Sequence, residues 1–318
     1  MKLPIDKNGV FRLTMEEYHS QCCVAPSISS SGLRTIFLKS PAHYFIESTL
    51  NPNRIEPEEK EAFVLGRAAH HLLLGEDAFS TLFIMRPEEA PDGRAWNGNN
   101  LSCKGWLHAQ AKAGRTVLTP NQVEQIRGMA RALGNHPLVR AGILNGEIEQ
   151  SLIFKDKKTG VYLKSRPDAI PNDSGDFADL KTTACIGFDL DRDVSKFRYD
   201  VQAALTKWAA REVLKIEMES FSFVFVEKKP PHSVDVITLG KEDIAEAEKD
   251  LRSAIDTFAW CVEHRNWFGP AGSQSDARYV HISEFARKNA EFRRDFLKRE
   301  IETATKAGER AAEYMNAG

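Results

Sequence analysis

The chain has 318 residues, with 43 Lys and Arg against 45 Asp and Glu and a hydrophobic fraction of 42%, which is the composition of a folded globular protein. Its formal net charge of −2 argues against a protein coated in basic charge, although a local basic channel remains open because binding depends on where charges lie. No run of 18 apolar residues and no signal-peptide core is present, so we expect a cytoplasmic protein that does not contact a membrane.

The first half of the chain has the pattern of helices joined by polar loops. Pro41 divides the first helical segment in two, because proline removes a backbone donor and clashes with the preceding turn. Thr119 and Pro120 supply an N-cap followed by a proline at the first helical position, which begins another helix. We predict helices within 27–48, 61–75 and 120–133, and loops at 52–60 and 86–105.

The second half changes to short segments separated by turn signals. Turns at 157–160 and 171–175 separate three segments, which we predict to be consecutive antiparallel strands. The order of elements predicts an α/β fold with a mixed central sheet flanked by helices, after a helical N-terminal region. The predicted strands lie at 147–156, 161–169, 176–183, 220–228 and 233–239, and the predicted helices at 199–215, 242–264 and in the charged tail 276–318.

The residues that carry chemistry surround two aspartates. Asp179 and Lys181 lie two apart on a predicted strand, so their side chains project from the same face about 7 Å apart, whereas Leu180 points into the core. The turn at 171–175 folds Asp168, at the end of the preceding strand, back beside them. Two carboxylates suit Mg²⁺ or Mn²⁺, and a neighbouring ammonium can orient a water molecule.

Taken alone, this acid–acid–lysine spacing is a weak signature, because the acids could instead be a turn residue and an exposed strand residue. However, Phe177, Ala178 and Leu180 make the second segment a buried strand. A charged pair inside such a strand is costly unless it binds something. The context therefore favours a functional site.

Asp168, Asp179 and Lys181 match the signature of the PD-(D/E)XK nucleases, and the chain more closely resembles the RecE-type exonucleases (exodeoxyribonuclease VIII). The resemblance spans about 27–265, and the tail does not contribute to it. The further stretches that carry it are Ser31–Leu33, Ser40–Tyr44, Gly66–His70, Glu149–Ser151, Asp179–Thr183 and Tyr199–Gln202.

This resemblance implies a PD-(D/E)XK nuclease core and a division of the chain into two parts. A nuclease domain would occupy 1–275, with a helical part at 1–145 and the sheet core at 146–265. A helical, charged tail would occupy 276–318.

The resemblance also implies a metal site. Asp168 and Asp179 would bind the catalytic ion, with His70 and the Leu180 backbone carbonyl as further ligands, and Glu149 would help to hold a second ion. The implied cofactor is Mg²⁺ or Mn²⁺, in two copies. From residue type alone, a histidine such as His70 on an apolar helix face is more often a core residue than a ligand, and Glu149 could be an exposed strand carboxylate.

The implied catalytic residues are Lys181, Asp168, Asp179 and Glu149. Within this set the lysine would position the attacking water. The residues implied to contact DNA or to support the site are Gln202, Tyr199, Arg166 and Ser40. Without the resemblance, the glutamine could simply brace its helix.

The function implied by the resemblance is that of a metal-dependent 5′→3′ double-strand DNA exonuclease, which leaves 3′ single-stranded overhangs for phage-type recombination. The implied partners are double-stranded DNA, a single-strand annealing protein and further copies of the chain in a trimeric or tetrameric ring. Two other functions stay open: another PD-(D/E)XK nuclease, such as an endonuclease or a Cas4-like enzyme, and a non-catalytic DNA-binding protein. The intact acid–acid–lysine set counts against the second.

The five cysteines are too scattered to suggest a metal cluster. Cys22 and Cys23 are adjacent, the other three stand alone, and no C-x-x-C pair occurs. We therefore expect reduced thiols and neither structural zinc nor an iron–sulfur cluster. The absence of a cysteine cluster also counts against a Cas4-like enzyme.

Overall fold

The computed structural model describes residues 3–55, 61–74, 79–148, 150–172, 174–272 and 276–316. The chain divides into two compact units, Met1–Pro270 and Ala271–Gly318. The sheets lie in the first unit, and the second contains one long charged helix. None of the helices in the described part of the chain combines the length and the apolar character needed to cross a membrane.

The strands are β1 (Gly9–Phe11), β2 (Ser27–Ser29), β3 (Phe83–Met85), β4 (Thr116–Leu118), β5 (Glu147–Ile148), β6 (Ser151–Lys155), β7 (Tyr162–Ser165), β8 (Ala169–Ile170), β9 (Asp176–Thr183), β10 (Ser220–Glu227) and β11 (Val234–Thr238). The helices are α1 (Met15–His19), α2 (Ser30–Leu38), α3 (Pro41–Phe45), α4 (Glu61–Leu73), α5 (Phe79–Leu82), α6 (Leu101–Lys112), α7 (Pro120–Asn135), α8 (Pro137–Arg140), α9 (Phe188–Lys196), α10 (Tyr199–Ala209), α11 (Lys241–His264) and α12 (Glu284–Asn316), with a π-helical turn at Ala210–Leu214 after α10.

The central sheet has the strand order β11-β10-β9-β8-β5. Strands β9 and β10 run parallel, and the other neighbours are antiparallel, so the sheet is mixed as predicted. β10 is buried along most of its length and β9 from Phe177 to Leu180, as expected for strands covered on both faces.

The two faces of this sheet build two hydrophobic cores. Phe221, Phe223 and Phe225 alternate along β10 and pack with α10 and α11. Val224 and Val226 point the other way and pack with α4 and α7. Each large apolar side chain buried in this way stabilises the fold by about 1.5–3 kcal/mol. Because both cores share β9, that strand is held rigidly at the centre of the molecule.

A second sheet has the order β1-β6-β7-β2. It corrects the prediction of three consecutive antiparallel strands. β6 and β7 pair with each other in this sheet, whereas β8 pairs with β9 in the central sheet. The chain changes sheets at 166–168, where Pro167 has no N–H to donate to a strand ladder.

Some of the other predicted helices, strands and loops are confirmed, and others differ in their bounds. The strands at 220–228 and 233–239 and the helix at 242–264 are confirmed, and the predicted helix at 120–133 extends to Asn135. The predicted loop at 86–105 is wrong at its end, because α6 begins at Leu101 after the Asn100 side chain caps the Ser102 N–H at 3.0 Å. Residues 27–29 form a strand, so the first helix begins only at Ser30, and the tail helix begins at Glu284. Residues 56–60 and Gly75 lie outside the described residues.

Candidate active site

The site is built around strand β9. Asp179 and Lys181 project from the face of the sheet that carries Phe223, and the lysine ammonium contacts the aspartate carboxylate. Asp179 is 1% exposed and Lys181 24% exposed. The ammonium also lies 5.6 Å from the ring centre of Tyr199 and 5.7 Å from that of Phe223, at distances where aromatic faces attract cations.

Asp168 joins the site from the short link between β7 and β8. One of its oxygens, Oδ1, lies 2.8 Å from His70 Nε2, and the other accepts a hydrogen bond from the Leu180 N–H. The side chain is buried, so both contacts fix its orientation. The link at 166–168 is thereby tied to both α4 and β9.

Helix α4 can reach the site because a glycine faces β9. A Cβ atom added to Gly66 would lie 3.2 Å from Thr182 Oγ1, tighter than an ordinary van der Waals contact. The close approach brings His70, one turn further along the helix, to Asp168.

Helix α10 contributes Gln202, whose Nε2 donates to Asp179 Oδ1 at 2.7 Å. Thr206 donates to the Gln202 carbonyl at 3.0 Å, and its hydroxyl lies 3.0 Å from the Ser165 hydroxyl at the end of β7. The start of the helix is fixed by Arg198, a left-handed residue with φ 51°. Both sheets are therefore linked through the helix that orients Asp179.

Burial and oppositely charged neighbours have opposing effects on the pKa values of Asp179 and Lys181. Burial, together with the charge of Asp168, raises the pKa of Asp179 to about 6 despite the neighbouring Lys181. Burial alone would lower the pKa of Lys181, but the charges of Asp179 and Asp168 outweigh it and raise that pKa above its usual value. The lysine is therefore an ammonium at neutral pH, and the two carboxylates repel each other.

A cavity of about 470 Å³ opens over these residues. Three arginines line it: Arg34, Arg67 and Arg166. Arg34 Nη1 donates to the Phe197 carbonyl at 2.8 Å, while its buried Nε has no hydrogen-bond partner among the described residues. Carboxylates and guanidinium groups thus share one cavity, as a site for a cation and an anion together requires.

The structure brings most of the sequence-predicted residues to this cavity. The predicted residues that line it are His70, Arg166, Asp168, Asp179, Leu180, Lys181 and Gln202. Tyr199 lies beside the lysine ammonium. Ser40 does not line the cavity; its hydroxyl caps α3 and lies 2.7 Å from His43 Nδ1. Glu149 lies outside the described residues.

Sequence reasoning missed several residues of the cavity, above all Arg34 and Arg67. Arg34 directly follows the Ser31–Leu33 stretch, and Arg67 lies within the Gly66–His70 stretch. Their role could not be read from spacing, because only the fold brings α2 and α4 to the same side of β9.

The donor set fits a divalent cation in part. Within the described residues no group of three or more His, Cys, Asp and Glu side chains is arranged to hold a metal ion. Asp168 and Asp179 nevertheless supply hard oxygen ligands, and their repulsion, visible in the raised pKa of Asp179, is what a bound cation would relieve. The two aspartates are therefore suitable ligands.

The sequence matches the family described as "PDDEXK-like domain of unknown function (DUF3799)" over residues 29–277. No curated protein matches the chain significantly. The family match includes β9 and all of the cavity residues named above.

A solved structure shares the fold. A candidate exonuclease from Eubacterium rectale superposes with a TM-score of 0.54 at 16% identity, covering 86% of this chain and 97% of that one. A phage-related exonuclease from Haemophilus somnus 129PT gives a TM-score of 0.31 at 13% identity, covering 63% and 95% of the two chains. An alkaline exonuclease from Laribacter hongkongensis gives 0.24 at 12% identity, covering 52% and 84%. The first likeness supports the fold, and the other two superpose too loosely to add to it.

Proposed function

The chain belongs to the PDDEXK-like family of unknown function DUF3799, and on that premise we propose that it is a metal-dependent 5′→3′ exonuclease of double-stranded DNA. The observation that carries the proposal is the convergence of Asp168, Asp179 and Lys181 on one cavity. The description of the Eubacterium rectale structure as a candidate exonuclease supports an exonuclease rather than an endonuclease.

Asp168 and Asp179 would hold the divalent ion, which we take to be Mg²⁺ or Mn²⁺, with a second ion nearby. Such an ion polarises a phosphodiester and lowers the pKa of water. His70 orients Asp168 and Gln202 orients Asp179, so each carboxylate is fixed before substrate binds. His70, the Leu180 carbonyl and Glu149 remain candidates for completing the ligand set.

Lys181 acts on the reaction directly in this proposal. Its ammonium orients the attacking water and stabilises the negative charge that develops on the phosphoryl oxygens. The raised pKa keeps this group protonated at neutral pH. The Asp179 carboxylate and the faces of Tyr199 and Phe223 hold it in place.

The arginines of the cavity would bind the phosphate groups of the substrate. Arg34, Arg67 and Arg166 line the same cavity as the carboxylates, and Arg34 has a buried donor with no partner among the described residues. Guanidinium groups bind phosphate through charge-assisted hydrogen bonds. This arrangement supports a phosphate-bearing substrate over an uncharged one.

We further propose that digestion leaves a 3′ single-stranded overhang for recombination, that the protein acts as a homo-oligomeric ring of three or four copies, and that a single-strand annealing protein receives the product. A DNA substrate also agrees with the expectation of a cytoplasmic enzyme. These finer points rest on the resemblance to RecE-type exonucleases.

The decisive experiment uses linear and closed circular duplex DNA, with 5′-labelled and 3′-labelled linear forms, in Mg²⁺, Mn²⁺, Ca²⁺ or EDTA. We expect degradation of linear DNA alone, early release of the 5′ label, and no turnover in Ca²⁺ or EDTA. Cleavage of circles would indicate an endonuclease. Binding without cleavage in Mg²⁺ and Mn²⁺ would indicate a non-catalytic DNA-binding protein.

A further inference from the structure

Positive charge is concentrated in one segment of the first unit. Residues 101–145, called here the basic segment, contain six Lys and Arg and a single Glu, whereas the whole chain has a net charge of −2. The segment comprises α6, β4, α7 and α8. Its charge is therefore a local feature against an acidic background.

The charged side chains of the basic segment face solvent. Its six basic residues are all exposed: Lys104, Lys112, Arg115, Arg127, Arg131 and Arg140. In α7 the buried residues Ile126, Met129 and Leu133 face the core, which leaves the arginines on the opposite face.

The basic side chains of helices α6 and α7 are regularly spaced, and those on each helix are called a row here. Lys104 and Lys112 lie eight residues apart on α6, about 12 Å apart along the helix axis. Arg127 and Arg131 lie four residues apart on α7. A row of cations on a convex helix face suits an extended polyanion better than a small ligand, which needs a concave pocket.

Acidic partners do not neutralise the rows. Arg127 pairs with Glu124 at 2.6 Å in an exposed ion pair, which contributes little. Among the described residues, no ion pair involves the other five basic side chains of the segment. Their charges are thus available to an external ligand.

The basic segment is linked to a residue of the active-site cavity by a hydrogen bond. Arg67, which lines the cavity, donates from Nη2 to Thr116 Oγ1 in β4 at 2.9 Å. Helix α7 packs on α4, and both share the core that contains Leu180, next to the catalytic lysine.

We propose that the basic segment binds the phosphate backbone of DNA that extends beyond the active-site cavity. This inference rests on the proposed function and adds a contact surface away from the cleavage point. Such a surface holds a long substrate in register while its end is cut, and contributes affinity without sequence preference.

The test compares two variants of the full chain with equal loss of charge. Lys104→Gln, Lys112→Gln and Arg131→Gln are combined in the test variant. Lys7→Gln, Lys157→Gln and Lys241→Gln, which are exposed residues outside the basic segment and the cavity, form the control. Affinity for fluorescent duplex and single-stranded DNA is measured in EDTA, to prevent cleavage, at several KCl concentrations.

We expect the plot of log affinity against log salt to lose a slope of about 0.9 per lost phosphate contact on duplex, or about 0.7 on single strands, only in the test variant. A reduced slope on duplex DNA would show that the basic segment binds the duplex ahead of the cut. A reduced slope on single-stranded DNA alone would show that it binds the product strand. The test variant should also show a higher KM with kcat and melting temperature retained. Equal slopes in the test and control variants would overturn the inference, and a wild-type protein that binds no DNA would overturn the proposed function with it.

Discussion

Two cavities in the first unit contain buried aspartates, and their electrostatics are opposite. In the active-site cavity, burial and Asp168 raise the pKa of Asp179 to about 6. In a second cavity of about 300 Å³, at the other end of α10, burial would raise the pKa of Asp156 but hydrogen bonds from Arg252 and Thr159 lower it. A buried carboxylate with matched donors stabilises the fold, whereas one that faces another carboxylate marks a site that binds something.

In the second cavity, both carboxylate oxygens of Asp156 have hydrogen-bond partners. Arg252 donates to both oxygens of Asp156, at 2.9 and 3.0 Å, and the Thr159 hydroxyl donates at 2.6 Å. The guanidinium also lies 4.9 Å from the ring centre of Trp208. Asp156 and Arg252 thus have partners within the protein, so their pairing stabilises the fold without requiring a ligand.

The largest effect we predict follows from replacing Asp179 with asparagine. Asp179→Asn keeps the shape but removes a metal-binding charge, so nuclease activity should fall by a factor of about 10³ or more. Because the change also removes repulsion with Asp168, the melting temperature in EDTA should be unchanged or higher. Calorimetry with and without Mn²⁺ checks the cause: the rise that Mn²⁺ produces in the wild type should disappear. A persistent rise would show that Asp179 is not a ligand.

Replacing Asp156 should give the reverse pattern. Asp156→Asn leaves the Arg252 guanidinium, which is 31% exposed, with only its longer contact to Asp256 at 3.5 Å, and should lower the free energy of unfolding by about 2 kcal/mol. Nuclease activity per folded molecule should be retained. Chemical denaturation and an activity assay on the same preparation measure both. Loss of activity at unchanged stability would refute the contrast between the cavities.

The same pair predicts a smaller effect of pH. Because the pKa of Asp156 is lowered in the folded state, its ion pair contributes fully above the unfolded-state pKa of about 4 and loses its contribution as pH falls through the folded value. The difference in unfolding free energy between wild type and Asp156→Asn should be constant from about pH 7 to 5 and shrink below about pH 4. A difference that grows on acidification would contradict the assignment.

The weakest predicted effect concerns Arg198, which fixes the start of the helix joining the two cavities. Its guanidinium bonds to Asp200 at 2.8 Å and to Asp250 at 2.6 Å, which ties α10 to α11. Arg198→Gln should displace Gln202 slightly and lower kcat about threefold to tenfold, with KM little changed. Arg211→Gln, which breaks an exposed pair with Glu217, is the matched control and should leave kcat unchanged. Equal kcat values in the two variants would remove Arg198 from the positioning of the site.

Much of the fold could be predicted because its strongest patterns are local. The alternation of Phe and Val along β10 and the apolar stripe of α11 lead directly to the observed elements. The split of the strands between two sheets could not be predicted, because it depends on which neighbour β8 pairs with after Pro167. Helix α6 was missed since its Asn100 cap lies in a stretch with the composition of a loop.

The site, like the fold, has one part that could be predicted from local sequence patterns and another that could not. The period of two along a strand places Asp179 and Lys181 on one face from sequence alone. The contribution of Arg34 and Arg67, and the hydrogen bond from Gln202 to Asp179, depend on how α2, α4 and α10 pack around β9. Those contacts are long-range in sequence, and no local pattern encodes them.

The catalytic roles of Lys181 and of the divalent ion can be measured as the rate at which wild type and Lys181→Ala release nucleotides from linear duplex DNA at saturating substrate, with Mg²⁺ or with excess EDTA. We expect activity in the wild type with Mg²⁺ alone, and a loss of about 10³-fold or more in a Lys181→Ala protein that still unfolds cooperatively. A folded Lys181→Ala protein with near-normal activity, or full wild-type activity in excess EDTA, would contradict these roles.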